Sequence, residues 1–185
     1  MEIQTREIAP DNVRDLECCD DSFVVDSRMV LNAPEGVVNY TVEPVPPYRK
    51  RYPQDDVDYQ QYMSSAGRAI FLAYVDGEPA GRIRLRVNWN RLACIEDIAV
   101  DVRFRRRGVG RALMQQAIAW AHSMGLGGIM LETQNNNVAA CRLYERCGFV
   151  LGGFDRLLYR GVRQGTDEIA LYWYLLWAEG TPASR

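Results

Sequence analysis

An arginine- and glycine-rich segment carries the densest chemical signal in this sequence. Residues 98–113 (IAVDVRFRRRGVGRAL) begin as an apolar strand, pass through a glycine-containing turn and continue with helical spacing. The N–H groups of a helix's first turn lack partners within the helix and carry positive partial charge, so a helix start attracts anions. Gly108 and Gly110 let a phosphate approach the backbone closely. Four positive side chains surround the same turn: Arg105, Arg106, Arg107 and Arg111. The segment predicts a phosphate-binding loop, but it has neither the GK[ST] of a Walker A loop nor the G-x-G-x-x-G of a Rossmann loop.

A second segment, residues 137–149 (NVAACRLYERCGF), follows a short apolar strand. Its apolar residues have helical spacing, Gly148 is a typical helix stop, and Asn137 suits the N-cap position. Tyr144 lies inside this predicted helix. Its phenol is neutral at pH 7 and can donate a proton; the alternative is a core aromatic on an apolar helix face.

Carboxylates lie on two of the predicted strands. In residues 92–100 (LACIEDIAV), strand alternation places Glu96 with Ile98 on one face and Asp97 with Ala99 on the other. One of the two carboxylates is therefore expected to face a substrate cleft. Glu132, in the next strand (GIMLET), is a rival for the same role, with pairing to an arginine as the structural alternative.

Composition limits the class of protein. The chain has 185 residues, of which 48% are hydrophobic and 25% charged, and its formal net charge is −2. These values suit one compact globular domain and argue against disorder, a general nucleic-acid coat or a polybasic membrane binder. Of the basic residues only Lys50 is a lysine. Most fixed positive charge therefore sits on bidentate guanidinium groups.

The sequence also predicts where in the cell the protein is located. The first residues (MEIQTREIAPDNVRD) lack a basic region followed by an apolar run, and the apolar segment 170–178 is too short to span a membrane. The five cysteines are odd in number, and the spacing between Cys141 and Cys147 matches no common zinc site. We expect a cytoplasmic protein with reduced cysteines and no bound metal.

The remaining elements follow from periodicity and turn residues. Strands are predicted over residues 3–8, 69–75, 78–89, 92–100, 128–133 and 169–177, with another at 149–151 and 157–159 around Gly152-Gly153. Helices are predicted to begin near 10–12 and 55–62 and to span 111–123 and 138–147. Residues 41–59, with four prolines, are predicted to be a loop, and 20–40 are unassigned. This order indicates a mixed sheet of the α/β (α+β) class with a central βαβ crossover.

The two chemical segments together resemble the GNAT superfamily of N-acetyltransferases. Residues 105–110 (RRRGVG) fit its Q/R-x-x-G-x-G/A motif, and residues 137–149 fit its N-x-x-A-x-x-L-Y-x-x-x-G-F segment. The resemblance covers at least residues 69–177. It implies acetyl-CoA as cofactor and a mostly antiparallel central sheet of about six to seven strands around an acetyl-CoA-binding crossover. We expect a single domain over 1–185, with an acceptor-side N-terminal part (1–68) and a core (69–177).

Further segments are similar to the streptothricin acetyltransferases. They are PPYRKRY, WNRLACIEDIAV, LETQNNNVAACRLYERCGF, LGGFD and ALYWY. This resemblance implies transfer of an acetyl group to an amine on the β-lysine part of a streptothricin antibiotic. It also implies that Tyr144 protonates the leaving thiolate. Glu96 is our choice of base because the streptothricin-type pattern places a glutamate there, Glu132 is the rival, and a chain of waters is the alternative to either.

The GNAT resemblance also implies a set of cofactor contacts. The backbone of Ile98, Ala99 and Val100 is expected to bind the acetyl carbonyl and the pantetheine amides. The pyrophosphate is expected to lie on the loop and helix start formed by Arg105, Arg106, Arg107, Gly108, Val109, Gly110 and Arg111. Asn137, with Ala140 and Tyr144 in the following helix, is expected to contact the pantetheine arm.

A cationic acceptor requires an acidic, water-accessible pocket. The candidate carboxylates are Asp55, Asp56, Asp58, Glu96, Asp97 and Asp155, and the candidate rings for cation contact are Tyr159, Tyr172 and Trp173. A solvated face is the alternative for residues 55–58. In the strand 169–177 alternate residues must be core, and contact in a homodimer is an alternative use of this strand.

Two other functions compete with a streptothricin acetyltransferase. One is an acetyltransferase for an aminoglycoside, a protein N-terminus or a polyamine. The other is a binding module that keeps the fold without its chemistry. An enzyme is favoured over a binding module by the presence of Tyr144, the intact RRRGVG motif and the carboxylates. We expect its partner to be a small cationic amine rather than nucleic acid or a membrane.

Overall fold

The computed structural model describes residues 1–53 and 56–177, and within these ranges the chain forms nine strands and three α-helices. The strands are β1 (Ile3–Glu7), β2 (Phe23–Asn32), β3 (Asn39–Lys50), β4 (Arg68–Val75), β5 (Glu78–Val87), β6 (Ala93–Val100), β7 (Gly128–Gln134), β8 (Val150–Asp155) and β9 (Ala170–Leu176). The α-helices are α1 (Tyr59–Ser64), α2 (Val109–Ser123) and α3 (Val138–Arg146). No helix in the described ranges has the length and apolar character needed to cross a bilayer.

Seven strands form one sheet in the order β1-β4-β5-β6-β7-β9-β8, and β2 and β3 form a separate antiparallel pair. Antiparallel pairing joins β1 to β4, β4 to β5, β5 to β6, and β8 to β9. β6, α2 and β7 follow one another along the chain, and β6 and β7 are neighbours in the sheet. The predicted fold class, a mixed and mostly antiparallel α/β sheet, is confirmed.

The chain divides into two compact units, which are described separately. Among the described residues, the first consists of Met1–Ser22, Arg51–Ile129 and residues 176–177, and the second of Phe23–Lys50 and Met130–Leu175. The prediction of a single domain over 1–185, with parts 1–68 and 69–177, stays a prediction.

In the first unit, β4 and β5 form the hairpin that the Asp-Gly dipeptide predicts. Asp76 and Gly77 have φ values of 49° and 88°, as in a type I′ turn. Ile83 and Leu85 are completely buried on one face of β5. Gly81 lies on the same face, where an added Cβ would stand 3.2 Å from a methyl carbon of Leu113 in α2. The alternation of apolar and arginine residues in β5 therefore separates the α2-facing core from a second face.

That second face carries a smaller apolar cluster. Buried side chains from β4, α1 and the N-terminal segment meet there: Ile8, Leu16, Tyr62, Ile70, Leu72 and Tyr74. Asp58 caps the start of α1, because its carboxylate accepts a hydrogen bond from the Gln60 N–H at 3.0 Å. The predicted short helix near residues 55–62 therefore begins at Tyr59. Burial of its Tyr62 ring attaches α1 to the sheet.

In the second unit, the prediction of a loop over residues 41–59 is wrong for residues 41–50, which lie in β3. β2, in the unassigned region 20–40, pairs with it from Phe23 opposite Lys50 to Asn32 opposite Asn39. The register shifts between Val25 and Ser27, opposite the stretch that contains Pro46 and Pro47. Proline has no backbone N–H to donate to a neighbouring strand. Prolines are tolerated here because residues in a bulge, and residues at the outer edge of a two-stranded sheet, do not need that hydrogen bond.

The remaining core of the second unit is built by β7, α3, β8 and β9. Leu131, Leu171 and Trp173 are almost completely buried. The side chain of Asn135 accepts a hydrogen bond from the Ile169 N–H at 3.0 Å and donates one to the Met29 carbonyl at 3.1 Å. The prediction of a strand at residues 157–159 is wrong. Asp155 ends β8 and caps the following residues, so Leu158–Gly161 form a 3₁₀ turn.

The close approach at Gly81 gives a test of the packing in the first unit. An added Cβ would lie 2.6 Å from the Ala99 carbonyl oxygen, a backbone atom that has little freedom to move. We expect Gly81→Ala to lower the free energy of unfolding by about 2 kcal/mol or more, measured by urea denaturation. Gly67→Ala is the control, because a Cβ there meets its nearest atom at 3.9 Å. Equal effects of the two substitutions would contradict the packing described.

Candidate active site

In the first unit, the RRRGVG loop connects β6 to α2. Gly108 stands at the N-cap of α2 with a φ of 92°, and Arg106 also has a positive φ, 63°. The Nε and Nη2 atoms of Arg105 donate to the carbonyls of Val100 (3.0 Å) and Asp21 (2.9 Å), so this arginine braces the loop. Three other arginine side chains are exposed at the helix start: Arg106, Arg107 and Arg111. Together with the N–H groups of the first turn of α2, they form an electropositive surface that suits a polyphosphate.

The buried carboxylate of Asp101 holds this loop in place through hydrogen bonds. Asp101, 2% exposed, accepts hydrogen bonds from the backbone N–H and guanidinium of Arg103 and from the Asp20 N–H, at 2.8 to 3.3 Å. Burial acts to raise the pKa of Asp101, but these hydrogen bonds outweigh it and hold the pKa below its usual value. Asp101 is therefore an ionised anchor for the turn that leads into α2.

A β-bulge corrects the predicted faces of Glu96 and Asp97. Asp97 pairs with Arg84, and the next pair along the ladder joins Ile95 to Leu85, which leaves Glu96 as the extra residue. Because the bulge interrupts alternation, both carboxylates face the arginine side of β5. Asp97 accepts from Arg82 Nε at 2.7 Å, and Glu96 pairs with other arginines of the same row. The prediction that they lie on opposite faces is wrong.

Glu96 has three partners in the first unit. The Tyr62 hydroxyl donates to it at 2.5 Å, Arg86 Nε lies 3.0 Å from it and Arg84 Nε lies at 3.8 Å. Burial, followed by the hydrogen bond to Glu96, raises the pKa of Tyr62 to about 12, so its hydroxyl remains a donor at neutral pH. Sequence reasoning missed these partners, although the arginine row opposite two carboxylates is a cross-strand signal for such pairs.

A cavity of about 280 Å³ opens beside this cluster. Its lining consists of Asp56, Val57, Asp58, Gln61, Tyr62, Arg68 and Arg84. Two predicted acceptor residues, Asp56 and Asp58, are exposed at its rim, although Asp58 also caps α1. The predicted Asp55 lies outside the described residues.

In the second unit, α3 carries Asn137, Ala140 and Tyr144. The Asn137 side chain caps the helix by accepting from the Ala140 N–H at 3.3 Å, as its position predicts. Tyr144 is 4% exposed, and its ring centroid lies 6.1 Å from that of Phe149 and 6.2 Å from that of Trp173. Packing therefore fixes the direction of the phenol. Trp173 is 1% exposed, so the prediction that its ring contacts a cation is wrong.

Glu132 in β7 lies beside two of the predicted acceptor residues. The Tyr159 hydroxyl donates a hydrogen bond to its carboxylate. Loss of surrounding water raises the pKa of Glu132, against the lowering effect of this hydrogen bond. Burial, then the charges of Glu132 and Asp155, raise the pKa of Tyr172, so both carboxylates lie near its ring. Glu132 is nevertheless exposed, and a solvent-accessible carboxyl with a raised pKa is a candidate proton acceptor.

Asp155 and Tyr172 line an open cavity of about 590 Å³. Phe154, Arg156, Leu157 and Arg160 complete its lining. Because Arg156 and Arg160 line the cavity together with Asp155, its charge is mixed. The second unit thus brings together Glu132, Asp155, Tyr159 and Tyr172, which the sequence predicts separately.

A polar network, not foreseen from the sequence, joins the two segments PPYRKRY and LETQNNN within the second unit. Lys50, whose side chain is 15% exposed, donates to Gln134 and to Glu168, the latter at 2.5 Å. The Asn136 amide donates to the Tyr48 hydroxyl at 3.0 Å and to Glu168 at 3.2 Å. The network fixes the end of β7 next to the start of α3.

Comparison with known proteins identifies the family. A model of the acetyltransferase (GNAT) family matches residues 37–149. Streptothricin acetyltransferase A of Bacillus subtilis is 42% identical over 164 residues, 88% of this chain and 94% of that protein. The chain belongs to the acetyltransferase (GNAT) family. Both predicted motifs lie in the matched range, which confirms the resemblance inferred from them.

Two further proteins extend the similarity over most of the chain. Streptothricin acetyltransferase of Escherichia coli is 38% identical over 94% of this chain and 95% of its own length. A Bacillus anthracis protein assigned as a streptothricin acetyltransferase, solved in complex with acetyl coenzyme A, superposes with a TM-score of 0.88. It is 44% identical and covers 96% of this chain and 99% of its own.

Asp101 gives a test of the loop between β6 and α2. In Asp101→Asn, the NH₂ group of the new side chain would face N–H donors in place of a carboxylate oxygen. We therefore expect the free energy of unfolding at pH 7 to fall by about 2 kcal/mol. The folded-state pKa lies below the unfolded value, so Asp101 stabilises the fold above that unfolded value and loses its effect as pH falls. The difference in the free energy of unfolding between Asp101→Asn and wild type should therefore become smaller below about pH 4, as measured by urea titrations. Asp11→Asn, at an exposed site, is the control, and a difference independent of pH would contradict the ionised anchor.

Proposed function

We propose that this protein is an acetyl-CoA-dependent N-acetyltransferase that acetylates an amine of streptothricin, on its β-lysine part, and so confers resistance to that antibiotic. The acceptor assignment is supported by the similarity to streptothricin acetyltransferases over most of the chain. The observation that carries the chemistry is Glu132, an exposed carboxyl with a raised pKa that is held by Tyr159 and lies near Tyr172. We propose that the protein acts in the cytoplasm.

The donor side of the proposal rests on the first unit. Acetyl-CoA carries a pyrophosphate and a further phosphate, and the RRRGVG loop offers backbone N–H groups and exposed guanidinium groups suited to such a polyanion. We assign the pyrophosphate to the amides of residues 106–111. The backbone of Ile98, Ala99 and Val100 is assigned to the acetyl carbonyl and pantetheine amides. The Bacillus anthracis relative was solved with acetyl coenzyme A, which supports the same donor here.

Binding of the acceptor requires a site for a cation, and the reaction requires a group that removes a proton from the acceptor amine. Asp155, Tyr172 and Glu132 offer negative charge and an aromatic ring in the second unit. In the first unit, Asp56, Asp58 and Glu96 offer carboxylates around the smaller cavity. Asp97 is ion-paired with Arg82. We therefore assign Asp97 and Glu96 to the support of β6, and Glu132 with the Tyr172 ring to the cationic acceptor.

The proposed reaction is direct transfer. The acceptor ammonium loses a proton, its nitrogen attacks the thioester carbonyl carbon, a C–N bond forms and the C–S bond breaks. The thiolate that leaves takes up a proton, so the products are an amide, a free thiol and one proton in solution. We assign proton removal to Glu132, because Glu96 shares its carboxylate with two arginines and a tyrosine. Tyr144 is assigned to protonation of the thiolate.

The acceptor is tested by thiol release from acetyl-CoA with streptothricin, an aminoglycoside, a polyamine and a peptide N-terminus as separate substrates. We expect release with streptothricin, and mass spectrometry should show one added acetyl group on its β-lysine part. Release with another amine and none with streptothricin would overturn the acceptor assignment. No release with any amine would favour a binding module without chemistry.

Tyr144→Phe tests the proposed acid. The substitution keeps the ring that packs on Phe149 and Trp173 and removes only the hydroxyl. We expect kcat to fall about a hundredfold, with the KM for acetyl-CoA nearly unchanged, because proton donation contributes in the transition state. Tyr40→Phe is the control, because its hydroxyl bonds to Glu145 of the same helix. An unchanged kcat in Tyr144→Phe would refute the acid role.

A further inference from the structure

Tyr159 reaches Glu132 from a distant point in the chain. Its hydroxyl donates to a carboxylate oxygen of Glu132, 27 residues earlier. A tyrosine is a suitable partner for such a contact, because its hydroxyl remains protonated at neutral pH and its rigid ring has few rotamers to lose. The hydrogen bond fixes one carboxylate oxygen of Glu132, and a proton can be taken up at the other.

The position of Tyr159 is itself set by Asp155. One carboxylate oxygen of Asp155 accepts from the N–H groups of Leu157 (2.7 Å) and Leu158 (3.1 Å), which closes the turn that carries Tyr159. The Tyr159 carbonyl accepts from the N–H groups of Val162 (3.1 Å) and Arg163 (2.9 Å). Hydrogen bonds on both sides thus hold the backbone of Tyr159 and limit the positions that its ring can reach.

We propose that Tyr159 is a positioning residue that holds the carboxylate of Glu132 for proton transfer, and that Asp155 fixes the turn from which Tyr159 does so. This inference rests on the proposed function, in which Glu132 removes the proton from the acceptor amine. It changes the role expected for Tyr159 and Asp155, which sequence reasoning assigned to contact with a cationic substrate.

Two opposing effects act on Glu132. Loss of water raises the pKa of Glu132 and makes it more basic, whereas the Tyr159 hydrogen bond lowers the pKa by stabilising the ionised form. The other titratable groups around it are Tyr172 on β9, Asp155 at the end of β8 and Cys141 on α3. Arg156 and Arg160 line the adjoining cavity. Tyr159 thus favours the ionised form of Glu132, which loss of water disfavours.

The test is the pH dependence of kcat/KM for the acceptor in wild type and Tyr159→Phe. Without the hydroxyl, protonation of the carboxylate becomes easier, so the acid limb should move upward by about one pH unit. Activity on the acid limb should then fall several-fold and recover at alkaline pH, while the KM for acetyl-CoA stays unchanged. An unmoved acid limb, or a loss that is equal at every pH, would overturn the proposal.

Two further variants separate positioning from general damage. Asp155→Ala removes the cap and should move the acid limb in the same direction as Tyr159→Phe, whereas Asp155→Asn keeps an oxygen acceptor for the turn and should move it less than Asp155→Ala. Tyr174→Phe, the matched hydroxyl deletion on β9, should leave the profile unchanged because the Tyr174 ring packs on Gly152. A shift in Tyr174→Phe, or none in Asp155→Ala, would contradict the assigned roles.

A measurement without substrate distinguishes failure of this inference from failure of the proposed function. The carboxyl carbon of Glu132 can be followed by ¹³C NMR and assigned by its loss in Glu132→Gln. Its titration midpoint should be higher in Tyr159→Phe than in wild type. If streptothricin is not acetylated but the midpoint rises, the proposed acceptor is wrong and the hold of Tyr159 on Glu132 stands. An unchanged midpoint overturns the inference whatever the acceptor is.

Discussion

The electropositive start of α2 depends on one buried negative charge. Asp101 accepts backbone and side-chain hydrogen bonds at the end of β6, and these bonds set the direction in which the chain leaves the sheet. Arg105 adds to this support by donating to two backbone carbonyls. Because these contacts attach the loop to β6 and to Asp20 and Asp21, the exposed charges of Arg106 and Arg107 stand on a fixed backbone. Preorganisation of this kind lets a helix start bind an anion without first paying the cost of ordering the loop.

The second unit shows the same dependence on buried polar contacts. Asn135 joins β2 to the segment before β9, and Lys50 joins the end of β3 to Gln134 and Glu168. These contacts hold the end of β7, only a few residues after Glu132. A half-buried ion pair contributes little net stability, but its geometry is demanding. The network is therefore best understood as a device that specifies where β7 ends and α3 begins.

Some features could be predicted because they depend on neighbours in the sequence. The Asp76-Gly77 hairpin, the helix start after Gly108 and the Asn137 cap follow from turn and capping preferences. The buried face of β5 follows from alternation. Strand β3 was not predictable in this way, since its prolines argue against a strand until a bulge opposite them is known. The faces of Glu96 and Asp97 were mispredicted for a similar reason, because one inserted residue in β6 reverses alternation.

The sequence by itself determined the family of this protein, through a glycine- and arginine-rich segment that leads into a helix, a tyrosine on the following helix and carboxylates on the adjacent strands. Each of these features depends on residues that lie close together in the sequence, where turn, capping and periodicity preferences determine the local structure. Only the tertiary structure decided how each carboxylate is used. Asp97 and Glu96 are neutralised by arginines, Asp155 closes a turn, and Glu132 receives the Tyr159 hydroxyl. The environment that sets the reactivity of an acid comes from residues far away in the chain, and long-range packing alone brings them together.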